Sequence, residues 1–265
     1  MFDEKISIVR ACKVINLDRS MYYYRSCRDD SEVESRLRWY GEHYPCRGFP
    51  EYFKRIRKEG FTWNHKRVRR VYLQLGMNRR RKIKRRIANP EKQILLQPIK
   101  ENITWSIDFM EDRLENGRRF RTFNVLDDYN REALVIEIDY SFASEKVVKV
   151  MQQLIEWRGK PECIRSDNGT EFMAKVFQNF CQQSAIKHLR SQKGKPMQNG
   201  YIERFNRTYR EDVLNMYIFD NIHQVRELTE GFMEDYNHKH PHKSLANKAP
   251  IEFLNDRINK SLLLV

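Results

Sequence analysis

The sequence of 265 residues lacks any apolar run long enough to cross a membrane. A membrane helix needs about 18 consecutive apolar residues, and the N-terminus also has no apolar stretch typical of a signal peptide. The five cysteines are scattered and never spaced as CxxC, which argues against a disulfide framework and a zinc knuckle. His238, His240 and His242 alternate without a nearby cysteine, so we do not expect zinc there. We expect a cytoplasmic protein with reduced thiols and no membrane partner.

Acidic residues are few in the first third of the chain. Residues 1–97 hold 25 lysines and arginines against 11 acidic residues, whereas residues 98–265 hold 25 of each. The formal net charge of +14 therefore comes entirely from the first third. The alternative is a surface that only keeps the protein soluble, although such surfaces usually mix charges of both signs. Segregated positive charge indicates a polyanionic partner, most commonly nucleic acid.

The N-terminal residues predict an all-α region. Residues 1–30 predict two short helices, and residues 31–78 predict three more, at 31–43, 50–58 and 65–75. A helix, a short turn and a second helix rich in arginine resemble a helix-turn-helix, whose second helix can enter the major groove. A plain helical packing domain is the alternative. The predicted DNA-binding residues of the last helix are Lys66, Arg67, Arg69 and Arg70.

Residues 79–99 predict a basic linker or arm. Seven of the eight residues from Arg79 to Arg86 are basic, so the segment repels itself and is expected to order on a phosphate backbone. The predicted DNA contacts in this arm are Arg79, Arg80, Arg81, Lys82, Lys84, Arg85 and Arg86.

The pattern changes to alternating strands and helices over residues 100–225. The predicted strands are 104–110, 119–126, 133–138, 162–166 and 186–190, and the predicted helices are 144–157, 170–184 and 197–217. Three strands followed by alternating helix and strand predict an α/β fold with one mixed five-stranded sheet flanked by helices. This order of elements matches the ribonuclease-H-like fold. Residues 226–265 predict a helical C-terminal extension.

Three acidic residues occupy positions that this fold would bring together. Asp108 lies within the first strand, Asp167 follows the fourth strand, and Glu203 lies on the last helix of the predicted core. Ligands that offer only oxygen favour Mg²⁺ or Mn²⁺, and two such ions can assist an in-line phosphodiester displacement. Residues on the same polar side of the helix or in the loop before it predict DNA contacts: Lys193, Lys195, Asn199, Asn206 and Arg210.

The spacing of these acids carries a family resemblance. Asp108, then Asp167 in Ser-Asp-Asn-Gly, then Glu203 after 35 intervening residues resemble the DD(35)E signature of retroviral integrases and insertion-sequence transposases. Residues 193–208, 236–245 and 250–253 are similar to transposases of the insertion-sequence-three family. Residues 20–25 are similar to the start of that family's second reading frame. The integrase-type zinc module is absent, and residues 47–51 differ from the Tyr-Gly-Tyr-Arg-Arg stretch common in the family.

The resemblance implies a DNA transposase in which Asp108, Asp167 and Glu203 bind the catalytic metal, with two Mg²⁺ ions per site and Mn²⁺ as a substitute. It implies cleavage at transposon ends and strand transfer of the 3′-hydroxyl, that is, DNA integration and recombination. The expected partners are double-stranded DNA, further copies of the chain and an upstream-frame protein, in the bacterial nucleoid. A nuclease or ribonuclease H without a joining step, and a non-catalytic DNA-binding regulator, are the alternatives.

Overall fold

The structure is a computed structural model that describes residues 7–25, 29–78, 97–191 and 199–262, the last five of these by their backbone only. The described residues divide into two compact units. One comprises residues 7–43 and 63–78, and the other comprises residues 44–62 and 97–262. None of the helices in these ranges is both long and apolar enough to cross a lipid bilayer.

The first unit is helical. Its helices are α1 (Ile8–Val14), α2 (Arg19–Tyr23), α3 (Ser31–His43) and α5 (His65–Gln74). The Asp18 carboxylate caps α2 by accepting from the Ser20 backbone N–H, and Asn64 caps α5 by accepting from Lys66 N–H. Val33 and Leu37 of α3 are buried, as are Val68 and other apolar residues of α5, and the two helices pack together. The predicted helices of this unit are therefore present, and the bounds of α3 and α5 lie within one residue of the predicted 31–43 and 65–75.

The second unit contains α4 (Phe49–Lys58) and a five-stranded sheet in the order β3-β2-β1-β4-β5. The strands are β1 (Thr104–Arg113), β2 (Arg119–Asp127), β3 (Ala133–Asp139), β4 (Cys163–Ser166) and β5 (Lys187–Arg190). Strands β1 to β3 form an antiparallel meander, and β4 and β5 run parallel to β1. This mixed sheet flanked by helices confirms the predicted ribonuclease-H-like fold.

Each face of the sheet packs against its own helices. One core joins Trp105 and Ile107 to α6 (Ser144–Arg158), α7 (Thr170–Met173) and α8 (Lys175–Gln183). The other core joins Met110 to α9 (Gly200–Tyr209), the π-helical turn Arg210–Leu214 and α10 (Ile222–His238). Alternate residues of a strand point to opposite faces, so Asp108 shares the α9 side with Met110. The chain then continues through a 3₁₀ turn (Lys243–Leu245) to α11 (Pro250–Leu262).

Two predicted helices differ from the structure. The helix predicted over 170–184 is divided at Ala174, whose ψ of 141° is extended. Phe172 and Phe177 are both fully buried in the same core. A continuous helix would place them about 140° apart around its axis, and the break allows both to enter that core. The helix predicted over 197–217 begins at Gly200, and its α-helical part ends at Tyr209 before the π-helical turn.

The contact division separates the three helices of residues 31–78. Helix α4 belongs to the second unit, whereas α3 and α5 belong to the first. Arg55 of α4 is buried and ion-paired to Asp235 of α10 at 3.1 Å. Long-range pairing of this kind leaves no mark on the local sequence pattern. The functional boundaries of the five predicted regions stay predictions.

Candidate active site

Asp108 lies in the middle of β1, opposite Asn124 of β2. One carboxylate oxygen accepts a hydrogen bond from the Phe109 backbone N–H at 2.9 Å. The other accepts from the side-chain amide of Asn206 on α9 at 2.7 Å. The Asn206 amide oxygen in turn accepts from Asn124 Nδ2 at 2.7 Å. A relay of two amides therefore fixes the carboxylate on the face of the sheet that α9 covers.

Asp167 follows β4 at the same end of the strand pair. The parallel strands β1 and β4 place Ser106 opposite Arg165, and the two aspartates each lie two residues further along. The exposed Asp167 carboxylate accepts from the Gly169 backbone N–H at 2.9 Å, which closes a tight turn. A Cβ on Gly169 would lie 3.1 Å from Asp167 Oδ1 and 3.3 Å from the Phe172 ring, so the turn favours glycine.

Glu203 lies in the first turn of α9, which packs across β1 and β2. Ile202 and Phe205 of this helix are buried in the core, whereas Glu203 is exposed. Asn206, the residue bonded to Asp108, lies three positions further along the helix, and residues three apart are neighbours on a helix surface. The helix therefore brings Glu203 to the side of the sheet that carries Asp108.

The pKa of Asp108 responds to burial and to the charges of the two other acids. Burial, with smaller contributions from the charges of Asp167 and Glu203, raises the pKa of Asp108 to about 7. The hydrogen bonds from Phe109 and Asn206 oppose that shift only in part. Burial also raises the pKa of Glu203, while the charge of Arg207 lowers it. Within the described ranges, the hydrogen bonds to Asp108 come from a backbone N–H and an amide and bring no positive charge.

The buried acid Asp128 differs from Asp108 in having a counter-charge. Asp128 accepts from Ser106 Oγ at 2.6 Å and pairs with Arg165 at 2.5 Å. Burial still raises its pKa to about 6. No basic side chain within the described ranges hydrogen-bonds to Asp108. Asp128 is therefore a paired structural acid, whereas Asp108 has only neutral hydrogen-bond donors among the described residues.

The donor set fits a hard divalent cation, because Asp108, Asp167 and Glu203 offer only carboxylate oxygens. Among the residues that the structure describes, however, no three acidic, histidine or cysteine side chains are close enough to hold one ion together. The electrostatic coupling and this geometric result differ because charges interact over longer distances than ligand bonds. A two-ion site does not require every carboxylate to reach the same ion.

Asn124 and Asn206 hold Asp108 in place, a role that the sequence does not predict. Asn206 was predicted to contact DNA, yet it is buried and its amide is engaged by Asp108 and Asn124. Asn124 is fully buried and was not singled out. The available signal was a lone amide among the apolar residues of β2, on the same face as Thr122 and Leu126. The predicted contact of Asn206 with DNA stays a prediction.

The other predicted DNA-binding residues have varied environments. Arg67 and Arg70 of α5 form ion pairs with Asp30 at 2.8 and 2.6 Å. Arg210 pairs with Asp112 at 3.2 Å, and Asn199 is buried. Lys66 and Arg69 are exposed on α5. The predicted residues outside the described ranges are Arg79, Arg80, Arg81, Lys82, Lys84, Arg85, Arg86, Lys193 and Lys195.

The chain is similar to integrase core domains and to proteins of bacterial insertion elements. Two family models, both described as an integrase core domain, match residues 98–196 and 184–250. The chain is 34% identical over 255 residues to an insertion element IS407 uncharacterized 31.7 kDa protein of Burkholderia multivorans, covering 94% of this chain and 92% of that protein. It is 25% identical to the putative transposase InsK for insertion sequence element IS150 of Escherichia coli, covering 92% of each.

Among solved structures, the chain is similar to the HTLV-2 integrase catalytic core domain in complex with magnesium. The identity is 19%, the TM-score is 0.45, and the match covers 58% of this chain and 97% of that one.

Proposed function

We propose that this chain, which belongs to the insertion-sequence transposases with an integrase-type core, cuts DNA at the ends of a transposable element and joins the freed 3′-hydroxyl to target DNA. These transposases are enzymes of DNA transposition of the polynucleotidyl-transferase type. The observation that supports this proposal is the placement of Asp108 and Asp167 at matching positions of the paired strands β1 and β4, with Glu203 on the helix that packs across β1 and β2.

Asp108, Asp167 and Glu203 would together hold two Mg²⁺ ions, or Mn²⁺ in their place. When bound, such ions activate the attacking oxygen and stabilise the leaving oxygen of an in-line displacement. The ions would also supply the positive charge that Asp108 lacks, and binding would hold its carboxylate ionised at neutral pH.

The side chains around the triad position its members. Asn206 and Asn124 hold the Asp108 carboxylate in one orientation through the amide relay. The turn at Gly169 and the hydrogen bond from Asn168 Nδ2 to the Ser191 carbonyl at 3.0 Å fix the segment that carries Asp167. Preorganised ligands of this kind reduce the reorganisation needed when substrate binds.

We propose that the partner is double-stranded DNA, both transposon ends and target, bound in the bacterial nucleoid by more than one copy of the chain. The positive charge of residues 1–97 supports this, since DNA affinity depends on neutralised phosphates. An upstream-frame protein as a further partner is proposed on the family resemblance alone.

The test is to incubate the full chain with labelled candidate element ends and Mg²⁺, Mn²⁺ or Ca²⁺. We expect strand cleavage and joined products with Mg²⁺ and Mn²⁺ and neither with Ca²⁺, whose larger and looser coordination misplaces the reacting oxygens. Digestion of an RNA–DNA hybrid without any joined product would favour a ribonuclease H instead. Turnover under chelator would contradict the metal-dependent mechanism.

A further inference from the structure

A small cavity in the second unit lies between α9 and the segment that follows α10. Its volume is about 120 Å³, well above the roughly 10–15 Å³ that one water molecule needs. Arg131, Arg204 and Lys243 line it, together with His240 and His242. None of the described residues that line the cavity is acidic. The cavity therefore presents positive charge on several sides.

Arg131 is the buried cation of this cavity. Its side chain lies over the Tyr201 ring at 3.5 Å, and the residue is only 6% exposed. Among the described residues, its Nη1 atom has no hydrogen-bond partner. The carboxylate of Asp128, which attracts Arg131, is already hydrogen-bonded to Ser106 and Arg165. A buried guanidinium N–H without a partner is costly, so an external acceptor would stabilise it.

His242 supplies a second unpartnered group. Its Nε2 atom is buried and has no hydrogen-bond partner within the described ranges. Burial lowers the pKa of His242 well below its usual value, and the positive charges of His240, Arg204 and Arg131 lower it further. A neutral imidazole can still donate one hydrogen bond. Arg204 and Lys243 are exposed and add charge at the rim.

We propose that this cavity binds a phosphate group of the DNA on which the catalytic site acts. Arg131 and His242 donate to the phosphate oxygens from inside, while Arg204 and Lys243 hold the charge at the rim. Arg204 directly follows Glu203 on α9, so the same helix links the cavity to the triad. The inference rests on the proposed function for the identity of the polyanion, whereas the cavity itself does not depend on cleavage.

The experiment measures binding of the full chain to a short duplex in chelator, where no cleavage occurs. A series of duplexes each carries one neutral methylphosphonate linkage, and each is titrated against wild type, Lys243→Gln and Arg204→Gln. Lys239→Gln is the matched control, since Lys239 is 67% exposed and is not among the residues lining the cavity. Inorganic phosphate is titrated separately at constant ionic strength. Arg131→Gln tests the interior, and the two rim variants keep the test valid if it fails to fold.

We expect that neutralising one particular linkage weakens wild-type binding by about tenfold, in line with the loss of a charge-assisted hydrogen bond. Neutralising the same linkage should weaken binding by Lys243→Gln or Arg204→Gln only slightly further. The salt slope of these variants should fall by about 0.9, the value of one phosphate. Lys239→Gln should behave as wild type. Additive effects at every linkage would overturn the proposal, as would binding of inorganic phosphate without any such linkage. If wild type cleaves normally while the effects of linkage and variant on binding are additive, the cavity is not the phosphate site, and the proposed function still holds.

Discussion

At the scale of single residues, the charge of Asp108 is the feature with the clearest energetic consequence. The folded protein holds its carboxyl at a pKa of about 7, above its ordinary value of 3.8. A raised pKa means that the folded state binds a proton more tightly than the unfolded state between these pH values. Without a divalent cation, ionised Asp108 therefore destabilises the fold, and the cost grows as pH rises through this window.

Replacing Asp108 by asparagine removes the destabilising charge. In chelator, Asp108→Asn should be more stable than wild type by about 2 kcal/mol at pH 8, at roughly 1.4 kcal/mol per pKa unit and allowing for partial solvent screening. The difference should nearly vanish at pH 4, where the wild-type carboxyl is protonated in the folded state. Urea unfolding at both pH values measures it. Glu111→Gln, an exposed acid on the same strand, is the control.

Added Mg²⁺ should reverse this order, because the ion binds the folded wild-type protein and stabilises it by mass action. If Mg²⁺ stabilises wild type and Asp108→Asn equally, then Asp108 is not a ligand.

The second prediction concerns Asn206 as a positioning residue. Replacing it by leucine removes the hydrogen bond that lowers the pKa of Asp108 and leaves the buried amide of Asn124 without its partner. We expect an upward shift of the acid limb of the activity profile and a loss of stability of about 1–3 kcal/mol. Asn206→Gln should restore part of both. An unchanged pH profile would show that the amide serves stability alone.

At the scale of elements, helix α4 shows what sequence could and could not predict. The bounds of α3 and α4 followed from the caps, the apolar spacing and Pro50, and the structure places them within one residue. The partner of α4 did not follow, since it is set by Arg47 and Arg55 pairing with acids far along the chain. The break at Ala174 was equally hidden, because its neighbours are ordinary helix formers.

The candidate site divides in the same way. The elements that carry the three carboxylates could be predicted, since an acid in an apolar strand and an acid after a strand are local signals, whereas the site that they would form stays a prediction. The role of Asn206 could not, because it depends on the register between β1 and β2 and on the helix that covers them.

The third prediction tests the attachment of α4. Arg55→Leu should lower the free energy of unfolding by about 3 kcal/mol, since it removes the buried guanidinium that pairs with both Asp235 and Glu51. Arg57→Leu, on the exposed side of the same helix, should change it by less than about 1 kcal/mol. Equal effects in urea unfolding would show that the ion pairs of Arg55 do not anchor the helix.

At the scale of the whole molecule, we expect residues 1–97 to supply most of the DNA affinity, because the entire net positive charge lies there. Removing these residues would also remove α4 and unbalance the second unit, so a truncated chain cannot isolate the effect. The fourth prediction therefore uses the full chain with the seven basic residues of 79–86 replaced by glutamine. We expect weaker binding to all duplex sequences and a salt slope reduced by about 0.9 for each phosphate lost. An unchanged salt slope would show that the basic residues of 79–86 do not contact the DNA phosphates.

The central claim is that Asp108, Asp167 and Glu203 act together at one metal-dependent site. The most direct measurement compares cleavage and joining of labelled element ends by wild type, Asp108→Asn, Asp167→Asn, Glu203→Gln and the control Glu111→Gln, each in Mg²⁺ and each checked for DNA binding. Each triad variant should lose at least about a hundredfold in rate while binding DNA, because the substitution keeps size and removes the ligand charge. Glu111→Gln should keep its activity. Substantial cleavage by any of the three triad variants would contradict the account.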